Sequence, residues 1–258
     1  MSAPFGRRLC RVAGKEAVGP YAMLAVEDSE RPPAPGQFYM LAGARGWGGD
    51  GGRPYLGRAF SVCRARPGRL DFLVDAIGPG TERLAALEAG EAVWVVGPLG
   101  IGFEKPPAGS RAVLVGGGIG IAPLVIWAGA LGAPALALLG FRDSSFCPAA
   151  DLVPGEKLLA TDDGSGGHHH GLVTDLLTAE LEPSDVVYAC GPPAMLEAVR
   201  RICTGRGVEA QLALEAGMAC GFGACFGCVV ATTTGYRRLC VDGPVVRAAE
   251  LERQEAWH

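Results

Sequence analysis

The chain has 258 residues, 49% of them hydrophobic and 19% charged, with a formal net charge of −4. That length and apolar content allow one large domain, or two modest domains with a small appendage. The acidic balance and the lack of any Lys/Arg run argue against a nucleic-acid surface.

Residues 1–15 carry charges and no apolar stretch, so they lack the pattern of a signal peptide. The nine cysteines are therefore expected as thiols, in a cytoplasmic protein. From about 7 to 102, short runs at 21–26, 37–41, 59–64, 70–76 and 92–96 alternate with Gly/Pro turns. This rhythm predicts an antiparallel β barrel or sandwich. Residues 45–53, Gly-rich around Trp47, read as a mobile surface loop. Arg58-Ala59-Phe60-Ser61 falls on one of the strands. Its guanidinium fork suits a diphosphate, although an Arg and a Ser on a strand are often plain surface residues. Leu73-Val74-Asp75 then runs through Gly78 to Gly80-Thr81, a strand, a glycine turn and a helix start. Free N–H groups at such a start suit a phosphate. Thr81 also reads as an N-cap.

Residues 104–110, with Pro106 and Pro107, look like a linker. Beyond it, strands at 113–115, 135–139, 157–160 and 186–189 alternate with helices at 123–131, 172–177 and 194–203. That order predicts a parallel sheet flanked by helices. The stretch 112–141 has no charged residue and is long enough for a membrane span. Its seven glycines and two prolines read instead as buried parallel-sheet structure. Within it, Gly116-Gly117-Gly118-x-Gly120 forms a glycine turn between strand and helix, where a backbone can approach a pyrophosphate. Cys190-Gly191-Pro192 follows a later strand at its carboxyl end, the side on which open α/β sheets bind ligands. A buried structural Cys190 is the plainer reading. Asp162 and Asp163, after another strand, favour NAD over a nucleotide with a 2′-phosphate. His168, His169 and His170 read as a solvated turn.

From 208 the texture changes again. A last strand at 208–214 precedes a Gly- and Cys-rich segment at 217–228, an apolar run to 246, and a polar tail at 247–258 expected to be helical. Three units follow: a β-barrel domain at 1–104, an α/β domain at 105–207 and a C-terminal Cys-rich segment at 208–258. The cysteine spacing is Cys220-x₄-Cys225-x₂-Cys228-x₁₁-Cys240. Its first three ligands match the plant-type [2Fe–2S] loop. Gly221, Gly223 and Gly227 let that loop bend and turn its N–H groups toward sulfur. A structural zinc site is the alternative, although zinc sites usually pair two short hooks.

The order Arg58-x-x-Ser61, Gly78-x-Gly80-Thr81, the Gly116–Gly120 turn, Cys190-Gly191-Pro192 and Met218-x-Cys220 onward resembles a known family. It is that of the electron-transfer subunit of type B (NAD-dependent) dihydroorotate dehydrogenase, within the ferredoxin-reductase-like superfamily. The resemblance spans almost the whole chain. It makes the three units FAD-binding, NAD-binding and cluster-binding in turn. It implies FAD contacts along Arg58, Ala59, Phe60 and Ser61, along Leu73, Val74 and Asp75, and at Gly80 and Thr81. It places the nicotinamide near the Cys190 turn and makes Cys220, Cys225, Cys228 and Cys240 the cluster ligands. NAD(H) would be the diffusible substrate. The partner implied is an FMN-containing dihydroorotate dehydrogenase catalytic subunit, in a heterotetramer with two of each chain. Two departures stand out: Ala59, where the family commonly has proline, and the Gly-rich insertion before Arg58. The same relay serving another partner, and a zinc-stabilised nucleotide-binding module, are the competing readings.

Overall fold

Alternating burial along short runs builds the first half of the molecule. The computed structural model describes residues 6–48, 54–132 and 135–252. Its first seven strands are β1 (Arg8–Val18), β2 (Tyr21–Glu27), β3 (Phe38–Gly43), β4 (Arg58–Ser61), β5 (Arg64–Arg66), β6 (Arg69–Val74) and β7 (Ala92–Leu99), with α1 (Pro79–Ala85) between the last two. They form one antiparallel sheet in the order β4-β3-β7-β1-β2-β6-β5. Tyr39, Leu41, Phe72, Val74, Val93 and Val95 fill its interior. β1 has no counterpart among the predicted runs. Four charged residues in RLCRVAGKEAV hide its alternation, yet Cys10 and Val12 still point into the core. The run 59–64 is two strands rather than one, because Val62 and Cys63 turn into the interior between β4 and β5.

The second half alternates strand and helix. It comprises β8 (Ala112–Gly117), α2 (Ala122–Leu131), β9 (Ala135–Phe141), β10 (Glu156–Thr161), β11 (His169–His170), α3 (Val173–Glu180), β12 (Val186–Cys190), α4 (Pro193–Arg206) and β13 (Glu209–Ala213). The sheet order is β11-β10-β9-β8-β12-β13, parallel throughout. Strand period 2 divides its side chains between two cores. Val113, Val115, Val187 and Ala189 pack under α3 and α4. Ala112, Leu114, Val186 and Tyr188 pack under α2, together with Tyr21, Met23 and Leu73 from the first sheet.

The linker is tied down. Phe103 sits 5.6 Å from both Trp127 and Tyr188, and Tyr188 donates its hydroxyl hydrogen to the Glu104 carbonyl at 2.9 Å. The last segment adds the hairpin β14 (Val229–Thr232) and β15 (Gly235–Arg238), the turn α5 (Leu239–Asp242), and β16 (Val245–Arg247). β16 pairs antiparallel with β13 and completes the second sheet. The change of texture at 208 is therefore one of composition, while the sheet runs across it. The tail differs from the expected helix: β16 and a single 3₁₀ turn at Ala248–Glu250 occupy its described part, and 253–258 lie outside the described residues. Residues 49–53 of the Gly-rich loop also lie outside them. No helix among the described residues is long and apolar enough to cross a membrane.

Candidate functional site

Two cavities and one cysteine loop lie along the seam between the sheets. The first cavity, about 450 Å³, is walled by β4, the end of β6 and the start of α1, and faces the Gly118–Pro123 turn. Arg58, Ala59, Phe60, Ser61, Leu73, Asp75 and Thr81 all line it. Val74 does not. It is fully buried in the barrel core because strand alternation turns it away from Leu73 and Asp75. Gly80 acts from behind: a Cβ there would lie 2.7 Å from Arg58 Nε, so only glycine lets the guanidinium lie across this turn. Arg58 also donates to the Leu56 carbonyl at 2.8 Å and stands 5.9 Å from the Trp47 ring. Thr81 is the third residue of α1, not its cap. Its hydroxyl accepts from the Ile77 and Gly78 amides at 3.1 and 3.2 Å.

The second cavity, about 510 Å³, opens on the carboxyl ends of the parallel strands. Gly117, Gly118, Gly120, Gly191 and Pro192 line it. These glycines allow close approaches: a Cβ on Gly120 would sit 2.4 Å from the Cys190 carbonyl oxygen, and one on Gly117 2.6 Å from the Met195 sulfur. Cys190 itself faces the first cavity, so the Cys190–Pro192 turn stands on the boundary between the two. Asp162 lines the second cavity. Asp163 instead turns outward and accepts from the Ser165 amide at 2.9 Å.

Asp75, Ile119, Gly120 and Glu215 belong to both cavities. Glu215 opens the motif that runs to Cys228 but has no role assigned from the sequence. It stands just after β13, and its exposed surface faces the cleft. Burial among the cleft walls pushes its carboxyl above the usual carboxylate range. Burial, helped by Glu215, likewise pushes the Cys190 thiol well up, keeping it neutral.

The wall of the first cavity includes Gly217 and Met218, and Cys220 follows two residues later in the chain. Among the described residues, no three His, Cys, Asp or Glu side chains converge as the shell of a single ion. The four thiols instead form two contacts. Cys225 N–H donates to Cys220 Sγ at 3.4 Å, and Cys240 N–H to Cys228 Sγ at 3.4 Å. Burial pushes the Cys220 thiol up, but the Cys225, Phe222 and Ala224 amides outweigh it and bring it down to about 6. Burial and the adjacent Cys228 push Cys240 up to about 12. Two thiol pairs served by amide donors fit a two-iron cluster, whose charge such donors stabilise, better than one zinc tetrahedron. The loop needs its glycines. Gly221 and Gly223 have φ of +80° and +88°, and a Cβ on Gly221 would lie 2.5 Å from Met40 Cγ of β3. The cluster loop thus rests directly on the barrel. Cys228 and Cys240 are buried, Cys225 exposed.

Residues 215–252 match the family model described as the iron-sulfur cluster binding domain of dihydroorotate dehydrogenase B. The dihydroorotate dehydrogenase B (NAD⁺) electron transfer subunit of Bacillus caldolyticus is 42% identical over 229 residues, covering 84% of this chain and 86% of that one. Its counterpart in Caldanaerobacter subterraneus is 37% identical, covering 86% and 88%. Among solved structures, an NADH-dependent reduced ferredoxin-NADP oxidoreductase superposes with a TM-score of 0.79 at 25% identity, covering 95% of this chain and 90% of that one. A ferredoxin NADP⁺ reductase from Neisseria gonorrhoeae, with bound FAD and NADP, shares the fold with a TM-score of 0.64 at 18% identity, covering 78% and 92%.

Proposed function

The chain belongs to the family of dihydroorotate dehydrogenase B (NAD⁺) electron transfer subunits, and from that premise we propose how its residues work. It carries electrons between NAD(H) and a partner flavoprotein, through FAD and a [2Fe–2S] cluster, in the oxidation of dihydroorotate to orotate. The observation that supports this most is the shared wall. One cavity adjoins a nucleotide-type glycine cleft at Gly120 and Glu215, and its wall includes Met218, two residues before Cys220 in the chain.

FAD bound in the first cavity supplies what the reaction needs, accepting or giving a hydride on one side and single electrons on the other. Arg58, held across Gly80, would take its diphosphate, and Phe60 and Ser61 its ring end. Gly117, Gly118, Gly120 and the Gly191-Pro192 turn would seat NAD(H). Cys220, Cys225, Cys228 and Cys240 would hold the cluster. These residues bind, orient and exclude water; none is assigned acid or base chemistry. The partner is an FMN-containing catalytic subunit, two copies of each chain forming a heterotetramer. Exposed Cys225 marks the side on which the cluster comes nearest the surface. Nine free cysteines suit the reducing cytoplasm.

The test is Cys225→Ser, purified with its partner. NADH-to-dye reduction stays within twofold of wild type, while dihydroorotate-driven NAD⁺ reduction falls at least a hundredfold. Equal retention of both activities overturns the relay. A second reading, the same relay serving another acceptor, draws on the likeness to the ferredoxin-NADP oxidoreductase structure. Co-purification without an FMN protein would favour it.

A further inference from the structure

The second cavity has a wall that does not come from the nucleotide sheet. Tyr21 opens β2, directly after the Gly19–Pro20 turn, and reaches across the seam to line this cavity. Its ring is held firmly. It is 4% exposed, and it packs on Phe146 with centroids 5.3 Å apart and planes at 54°. Gly19 lies against the same segment, since a Cβ there would be 2.7 Å from the Ser145 carbonyl oxygen.

The hydroxyl behaves differently from the ring. Among the described residues it has no hydrogen-bond partner. It points at the glycine turn, 3.5 Å from where a Cβ on Gly118 would stand. Gly118 has φ +53° and precedes α2, so this is the spot where backbone N–H groups and a helix start face the cavity. Arg142, whose guanidinium carbon is 4.9 Å from the Phe146 ring centroid, lines the same cavity. Burial, with Asp75 beside it, keeps the phenol protonated, so the group is a donor throughout the physiological range.

An unpartnered donor beside a glycine turn and a guanidinium calls for an anionic acceptor. The carboxylates on this cavity, Asp75, Asp162 and Glu215, do not fill that role, since none accepts a hydrogen bond from Tyr21. We propose that Tyr21, a residue of the barrel, donates a hydrogen bond to the diphosphate of the bound nicotinamide dinucleotide. The inference rests on the reading of this cavity as the NAD(H) site. It gives the dinucleotide one contact from each sheet. In the β2–β6 register Ala22 faces Val74, and the next residue, Asp75, lines both cavities. A diphosphate fixed by Tyr21 is thereby fixed relative to the flavin wall as well as to the glycine turn.

The test compares Tyr21→Phe with wild type, using the full chain loaded with FAD and cluster. NADH-to-dye kinetics are followed with ADP-ribose and, separately, adenosine as competitors. Losing a hydrogen bond to a charged group raises the ADP-ribose inhibition constant and the NADH KM by about tenfold. The adenosine inhibition constant, kcat, flavin content and melting temperature stay unchanged, because the ring and its packing on Phe146 remain. An unaltered ADP-ribose constant overturns the inference. So does equal weakening of ADP-ribose and adenosine, which would report lost packing. Wild-type protein that neither oxidises NADH nor binds ADP-ribose would remove the NAD(H) reading itself, and this inference with it.

Discussion

The two cavities differ in what lines them. The first is walled largely by side chains of the barrel, with a cation laid over Gly80 and apolar surface from Phe60 and Leu73. The second sets a row of glycines, Gly117, Gly118, Gly120, Gly140 and Gly191, among side chains such as Tyr21, Arg142 and Met195. Side chains can surround a resident group and slow its escape, whereas turns and helix starts offer amide donors to a ligand that comes and goes. The contrast fits a retained cofactor beside an exchanging nucleotide.

The strongest way to break the contrast is at a glycine both cavities share. Gly120→Ala drives a Cβ into the Cys190 carbonyl, which is backbone and cannot swing away. It should cost about 1–3 kcal/mol of stability in urea denaturation and abolish NADH oxidation. A variant with normal activity would show that the turn has slack. Arg58→Ala addresses the first cavity alone. Flavin retention in dialysis should weaken at least tenfold, with ADP-ribose affinity within twofold of wild type. Parallel loss of both affinities would mean that the cavities are not separable.

The smallest effect sharpens the boundary. Glu215 has its carboxyl held above the usual range by burial. A group more basic in the folded than in the unfolded chain favours folding while protonated, and that advantage is lost as pH rises through its folded value. Glu215→Gln should therefore be neutral to stability below the ordinary carboxylate range and mildly stabilising above it. A pH-independent difference between the two proteins would show that burial does not penalise the carboxylate.

Much of this was legible in the chain. The spacing Cys220-x₄-Cys225-x₂-Cys228 and the glycine turn after β8 are local patterns, and local patterns survive without a structure. Most of the second sheet is legible for the same reason, since β8, β9 and β12 are continuous apolar runs, whereas β11 is the His169–His170 pair read as a solvated turn. β1 is hidden because Arg8, Arg11, Lys15 and Glu16 break up its apolar alternation. Val74 could have been set apart from Leu73 and Asp75 by period 2 alone. Tyr21 carries no local signal, and Glu215, although it opens the motif that runs to Cys228, carries none for a place between two cavities. Each acquires its place only when the two sheets close on one another, and no spacing along the chain encodes that. The Cys190 turn lay between these cases, with its position at a strand end readable and the choice of cavity not.

The pairing of β16 with β13 has a practical side. Residues 245–247 cover Gln211, Leu212 and Ala213 in antiparallel register. Stripped of that cover, β13 would present an open rim of amides and carbonyls to any passing polypeptide, a template for self-association. A chain cut before 245 should therefore emerge from expression as insoluble material, even with every sulfur ligand in place.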